Sequence, residues 1–144
     1  MPSPLPLHDA GAALLRIALG IVFLAHSAIL KVMIYGLPGT ARFFESLGLP
    51  GGFAYIVAGA EIVGGIMLIL GIHARWAALA LLPILLGAVW VHAGNGWLFT
   101  VANGGWEYPA YLSAAALAQF LIGDDRFVLV RSYPLPGIAR EVAQ

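Results

Sequence analysis

The sequence predicts an all-α fold: an integral membrane four-helix bundle with a short interfacial helix between the first two spans. Three observations predict it. The 144 residues are 61% hydrophobic and only 10% charged, where a soluble domain carries about 25% charged residues. Mean hydropathy is +0.92. The apolar residues gather into four runs separated by Gly-, Pro- and Asn-rich joints, and three of the runs reach the roughly 20 residues needed to cross a hydrocarbon core.

The first run extends from Ala10 to Ile34 and is opened by Asp9 as an expected N-cap. Prolines precede it and Arg16 lies inside it. A cleaved signal would place its basic residues before the apolar run, so this segment is expected to be retained. Residues 35–52, YGLPGTARFFESLGLPGG, hold two Leu-Pro-Gly turns around TARFFESL. That stretch predicts an interfacial helix with Phe43, Phe44 and Leu47 toward lipid and Arg42 and Glu45 toward water. The second run is Phe53 to Ile72, followed by a tight hairpin over Gly71 to Arg75. The third is Arg75 to His92, with Pro83 inside it expected to kink the helix and free a carbonyl near position 79. A Gly/Asn-rich loop, AGNGWLFTVANGGWE, places Trp97 and Trp106 at interface depth. The fourth run, Tyr108 to Ile122, is short. It must begin in the preceding loop or sit where the bilayer thins.

Residues 1–124 are read as the membrane domain and 125–144 as a polar tail. With four crossings, Arg16, Arg75, Arg126, Arg131 and Arg140 fall on one side, and Lys31 and Arg42 on the other. The excess places both termini in the cytoplasm. Seven basic and seven acidic residues give no basic patch for nucleic acid. The absence of cysteine excludes disulfides, thiol relays and Cys-ligated clusters.

Polar residues inside the spans are the candidate functional groups, because an ionisable group in lipid normally faces the protein interior. Glu61 stands alone in VAGAEIVGG. At 1.5 Å per residue, His26 and His92 lie about 24 and 25 Å from the cytoplasmic edge, and Glu61 about 12 Å below the outer edge. Lys31 and Glu107 fall at the outer rim, where a salt bridge between them is expected. Arg16 lies near the inner rim and is expected to reach toward Glu61. A structural ion pair of Glu61 with Arg16 or Lys31 is the alternative to a functional carboxylate. The spacing of Ala60 and Gly64 reads as close helix packing.

These residues carry a resemblance. LLRIALGIVFLAHSAILK, GLPGGFAYIVAGAEIVGGIMLILGIHARWAALAL, and VHAGNGW followed by GGWEYP resemble, in order and spacing, the DoxX family of small membrane proteins. The likeness covers residues 11 to about 124. It implies a multi-pass protein of the bacterial plasma (inner) membrane, associated with quinone-linked and oxidative-stress oxidoreductase systems. The family's polar positions fall on Arg16, His26, Lys31, Glu61, Arg75, His92, Glu107 and Tyr108. The chain departs from the family at Ser27, where Gly is usual, and in KVMIYG.

Two function classes follow. One is a membrane subunit of an oxidoreductase system that binds a quinone-like molecule in the outer half. Glu61, His26 and His92 are its candidate catalytic residues, and Arg16, Lys31, Glu107 and Tyr108 its ligand-binding residues. No nucleotide loop is present, so electrons would come from a soluble or membrane partner subunit. The other is a non-enzymatic anchor, assembly factor or small-molecule binding protein whose polar cluster is structural. Haem ligation by His26 and His92, or a divalent ion held by histidine with Glu61 and Glu107, is disfavoured, since no His-x-x-x-His or Glu-x-x-His spacing supports it. A homo-oligomer fits either class.

Overall fold

A computed structural model describes residues 6–136. The protein is all-helical over this range. Helix α1 covers Leu7–Leu24 and continues without a break as a π-helix, Ala25–Ile34. Then come α2 (Leu37–Ser46), α3 (Gly52–Leu70), α4 (Ala74–His92) and α5 (Glu107–Ile122). Among the described residues there is no strand, only an isolated parallel bridge between Ile72 and Val130. The four apolar runs are therefore helices with bounds within about three residues of expectation. Three segments, Leu7–Ile34, Gly52–Leu70 and Ala74–Asn95, are long and apolar enough to cross a membrane.

Apolar repeats at helical spacing form these helices, and small residues decide how closely they approach. α1 and α3 meet where Gly20 faces Gly65: a Cβ on Gly20 would lie 2.7 Å from the Gly65 carbonyl oxygen. On the next face of α3, a Cβ on Gly64 would lie 2.6 Å from Leu81 of α4. The close packing foreseen near Gly64 thus exists, but the backbone contact is made through Gly65. α4 packs along α5, α3 on α4, and α1 on α5. Leu19, Phe23, Leu68, Leu81, Leu85 and Leu112 fill the space between them.

α3 ends at Gly71, whose φ of 69° is left-handed and suits glycine. The Ile72 N–H returns to the Met67 carbonyl at 2.8 Å and the Gly71 N–H to Leu68 at 3.3 Å. These bonds satisfy carbonyls that a helix end leaves free. Segment 123–136 then lies along this hairpin. Val130 donates to the Gly71 carbonyl at 3.0 Å and accepts from the His73 N–H at 2.9 Å, while the Trp76 indole N–H donates to the Tyr133 carbonyl at 3.0 Å.

Asp9 does not cap α1. Pro6 holds the N-cap position, and Asp9 sits in the first turn, where its carboxylate meets Arg126 at 3.4 Å. A first-turn carboxylate still favours the helix through the dipole. α4 runs on through Pro83, whose ring leaves the Leu79 carbonyl without its usual donor.

The π-helix has no counterpart in the sequence reading. Its signature is the Tyr35 N–H bonding the Leu30 carbonyl at 2.9 Å, five residues back. At its start, Ser27 Oγ donates to the Phe23 carbonyl at 2.7 Å and His26 Nδ1 lies 3.0 Å from the Val22 carbonyl. Such back-bonding to the preceding turn perturbs the regular ladder. π segments are frequent at functional sites, and this one carries His26 and Lys31.

Candidate functional site

The wider turns of the π segment set the direction of Lys31. Its Nζ forms an ion pair with Glu61 Oε2 on α3. Glu61 is 5% exposed; the Lys31 side chain is 21% exposed, so one end of the pair stays open. The salt bridge expected between Lys31 and Glu107 is not formed. Glu107 instead accepts from the Phe99 N–H at 3.2 Å, tying the loop 93–106 to the first turn of α5. There the side chain compensates a free loop amide rather than a cation.

Arg16 is also placed differently from expectation. It is 1% exposed, and it pairs with Asp125, not with Glu61. Nε donates to Asp125 Oδ2 at 2.8 Å and Nη2 to Oδ1 at 3.4 Å, while Nη1 donates to the carbonyls of Leu68 and Ile69 at 2.6 and 2.8 Å. Those carbonyls belong to the last turn of α3, where a cation complements the helix dipole. Burial pushes the Asp125 carboxyl up, but hydrogen bonds from Arg16 and the Phe127 N–H, with the Arg16 charge, hold it below the usual carboxylate range. Asp125 is a residue that sequence reasoning missed. It lay in a segment read as a polar tail, although two acids beside an arginine-rich end were a usable signal.

The other candidates converge. His26, Lys31, Glu61, His92 and Tyr108 all line one cavity of about 530 Å³. Its walls are otherwise apolar and aromatic, including Phe53, Val57, Pro83 and Trp90. Phe43 and Phe44 of α2 and Leu47 just after it, expected to face lipid, line it too. The His26 ring stacks on Tyr108 with centroids 5.9 Å apart and planes 28° from parallel. His92 Nδ1 lies 3.1 Å from the carbonyls of Asn103 and Gly104, which fixes the ring against the loop 93–106. The equal depth read for the two histidines thus corresponds to one shared space. The Arg75 guanidinium lies beside Gly123, away from these lining residues. Among the described residues, no three His, Cys, Asp or Glu side chains are grouped to hold a metal ion.

Membrane-length apolar helices around a partly open cavity lined by an ion pair and two histidines define a helical membrane protein with a cavity between its helices. Such cavities are mostly apolar, with a few placed polar groups. The chain belongs to the DoxX family, whose sequence model matches residues 11–94. It is 35% identical over 81 residues to the Bacillus subtilis (strain 168) protein named "Putative oxidoreductase CatD". That alignment takes in 56% of this chain and 58% of the relative, so the chain spans little more than half the relative's length. No solved structure matches the chain.

Proposed function

We propose that the protein is a membrane-embedded subunit of an oxidoreductase system and binds a quinone-like molecule in the cavity beside Glu61. The observation that carries this reading is the convergence of His26, Lys31, Glu61, His92 and Tyr108 on one largely apolar space. About 530 Å³ falls within the roughly 300–1,000 Å³ typical of small-molecule sites. The aromatic walls suit a flat ring and the apolar helices a hydrocarbon tail. Lys31 and Tyr108 donate to the ring oxygens, His26 and His92 accept from them when the ring carries hydroxyls, and Glu61, held by Lys31, exchanges a proton with them. Arg16 and Glu107 support the scaffold from outside the cavity. The oxidoreductase name of the Bacillus relative agrees with this role.

In this reading α1, α3, α4 and α5 form a four-helix bundle across the bacterial plasma membrane, and α2 lies at the outer interface above the cavity. Both termini are cytoplasmic. Electrons reach the ligand from a partner subunit.

The test is mass spectrometry of lipid-soluble molecules bound to the purified protein and to its Glu61→Gln and His92→Ala variants. A quinone retained by the wild type and lost from the variants supports the proposal. A second reading, a structural anchor or assembly factor, is favoured by the way Lys31 and Glu61 satisfy one another. It gains if no aromatic ligand binds, added or endogenous, while the variants lose stability.

A further inference from the structure

This inference rests on the proposed quinone site and concerns which redox form of the ligand it prefers. The histidine hydrogen bonds fix which ring nitrogen carries the proton. His26 Nδ1 faces the Val22 carbonyl at 3.0 Å, and His92 Nδ1 faces the carbonyls of Asn103 and Gly104 at 3.1 Å. A carbonyl oxygen only accepts, and the Asn95 amide 3.5 Å from His92 Nδ1 lies nearer the same two carbonyls, at 3.2 and 2.8 Å, so a ring with a single proton carries it on Nδ1. Each Nε2 then presents a lone pair, and neither has a partner among the described residues. Glu61 adds an acceptor: Oε2 is taken by Lys31, and Oε1 has no donor among the described residues. The donors in the same cavity are the remaining ammonium protons of Lys31 and the Tyr108 hydroxyl.

We infer that this cavity takes a hydroquinone in preference to the corresponding quinone. Quinone carbonyls can only accept. They can meet Lys31 and Tyr108 but leave the imidazole lone pairs and Glu61 Oε1 facing a ligand with nothing to donate. Each hydroquinone hydroxyl donates and accepts, so it can answer both kinds of wall group. A buried polar group left unpaired is what gives a site strong discrimination between analogues. One such mismatch corresponds to about a tenfold preference for the reduced form. By linkage, a tenfold preference raises the two-electron potential of the bound couple by about 30 mV. The site then favours arrival of electrons on its ligand and holds the product.

The experiment uses the full chain in quinone-free lipid nanodiscs at neutral pH under anaerobic conditions. A decyl-substituted benzoquinone and its hydroquinone are titrated separately, and binding is followed calorimetrically. The hydroquinone is expected to bind at least about tenfold more tightly. His26→Phe and His92→Phe should each narrow the ratio by weakening hydroquinone binding more than quinone binding. Equal affinities, or a tighter quinone, overturn the inference and leave the quinone site standing. Binding of neither overturns both. The wild-type comparison carries the test even if a variant fails to fold.

Discussion

Removing the carboxylate of Asp125 should be among the most damaging single changes in this protein. Arg16 and Asp125 are each 1% exposed. The pair shares two hydrogen bonds, at 2.8 and 3.4 Å, and Asp125 Oδ1 also accepts the Phe127 N–H at 2.7 Å. Asp125→Ala deletes the counter-charge and leaves a guanidinium with only the two α3 carbonyls. Breaking a buried pair from one side costs about 3–5 kcal/mol. The double variant Arg16→Met/Asp125→Leu removes both charges and should cost less than Asp125→Ala alone, because no buried charge is left behind. Reversible unfolding in mixed micelles, followed by tryptophan fluorescence, measures both. The sign with pH is also fixed. The folded pKa of Asp125 lies below its unfolded value, so its stabilisation is complete above about pH 4 and is lost as pH falls through the lower, folded value. Asp125→Asn should flatten that acid limb. An Asp125→Ala protein within about 1 kcal/mol of wild type would refute the reasoning, since the cation would then not depend on this carboxylate.

Three further outcomes follow from the packing and the cavity. Gly20→Ala drives a methyl against the Gly65 carbonyl and should destabilise by about 1–3 kcal/mol, whereas Gly11→Ala, with open space around its Cβ, should be neutral or gain up to about 1 kcal/mol. Thermal unfolding of the two variants side by side checks this. Lys31→Met leaves the nearly buried Glu61 carboxylate unpaired and should cost about 1–3 kcal/mol, less than the Asp125 loss because the pair is partly open. Glu61→Gln keeps a hydrogen bond to Lys31, so the variant should stay folded while hydroquinone affinity falls about tenfold, read by the same titration.

The sequence made the helices legible because lipid-length apolar runs and Gly/Pro joints leave few alternatives. It also made most of the cavity legible. His26 and His92 share a level, with Glu61 about one turn deeper, because helix rise is constant, and polar groups at neighbouring levels inside an apolar protein tend to face one another. Partner choice was less readable. Arg16 was assigned toward Glu61 by depth along the membrane axis, but depth does not give azimuth, and Asp125 approaches from a segment that folds back after α5. Lys31 was placed at the rim beside Glu107, although its pairing with Glu61 was one of the two structural alternatives and is the one that forms. The π-helix of Ala25–Ile34 turns it onto Glu61, and nothing in AHSAILKVMI announces a five-residue ladder. Phe43 stays 51% exposed as a lipid-facing residue would, while Phe44 turns further into the cavity, because an amphipathic pattern identifies an apolar face without identifying what covers it.

The two ion pairs show how the same chemistry serves different ends. The continuous segment Leu7–Ile34 carries both cations, and α3 meets both, through its terminal carbonyls at Arg16 and through Glu61 at Lys31. The backbone contact of Gly20 with Gly65 lies between them. The register of α1 against α3 is thereby fixed at two levels. At the Arg16 level the carboxylate is fully buried and its oxygens are taken up by Arg16 and Phe127. That centre has no capacity left for a ligand, and altering it should change stability without changing ligand preference. At the Lys31 level the ammonium keeps spare protons, Glu61 Oε1 has no donor among the described residues, and His26 and His92 line the same space. A ligand that displaces solvent here must satisfy these groups, because a polar group shut away from water without a partner costs free energy. That residual demand, more than the presence of charge, separates the cavity at Glu61 from the closed lock at Asp125.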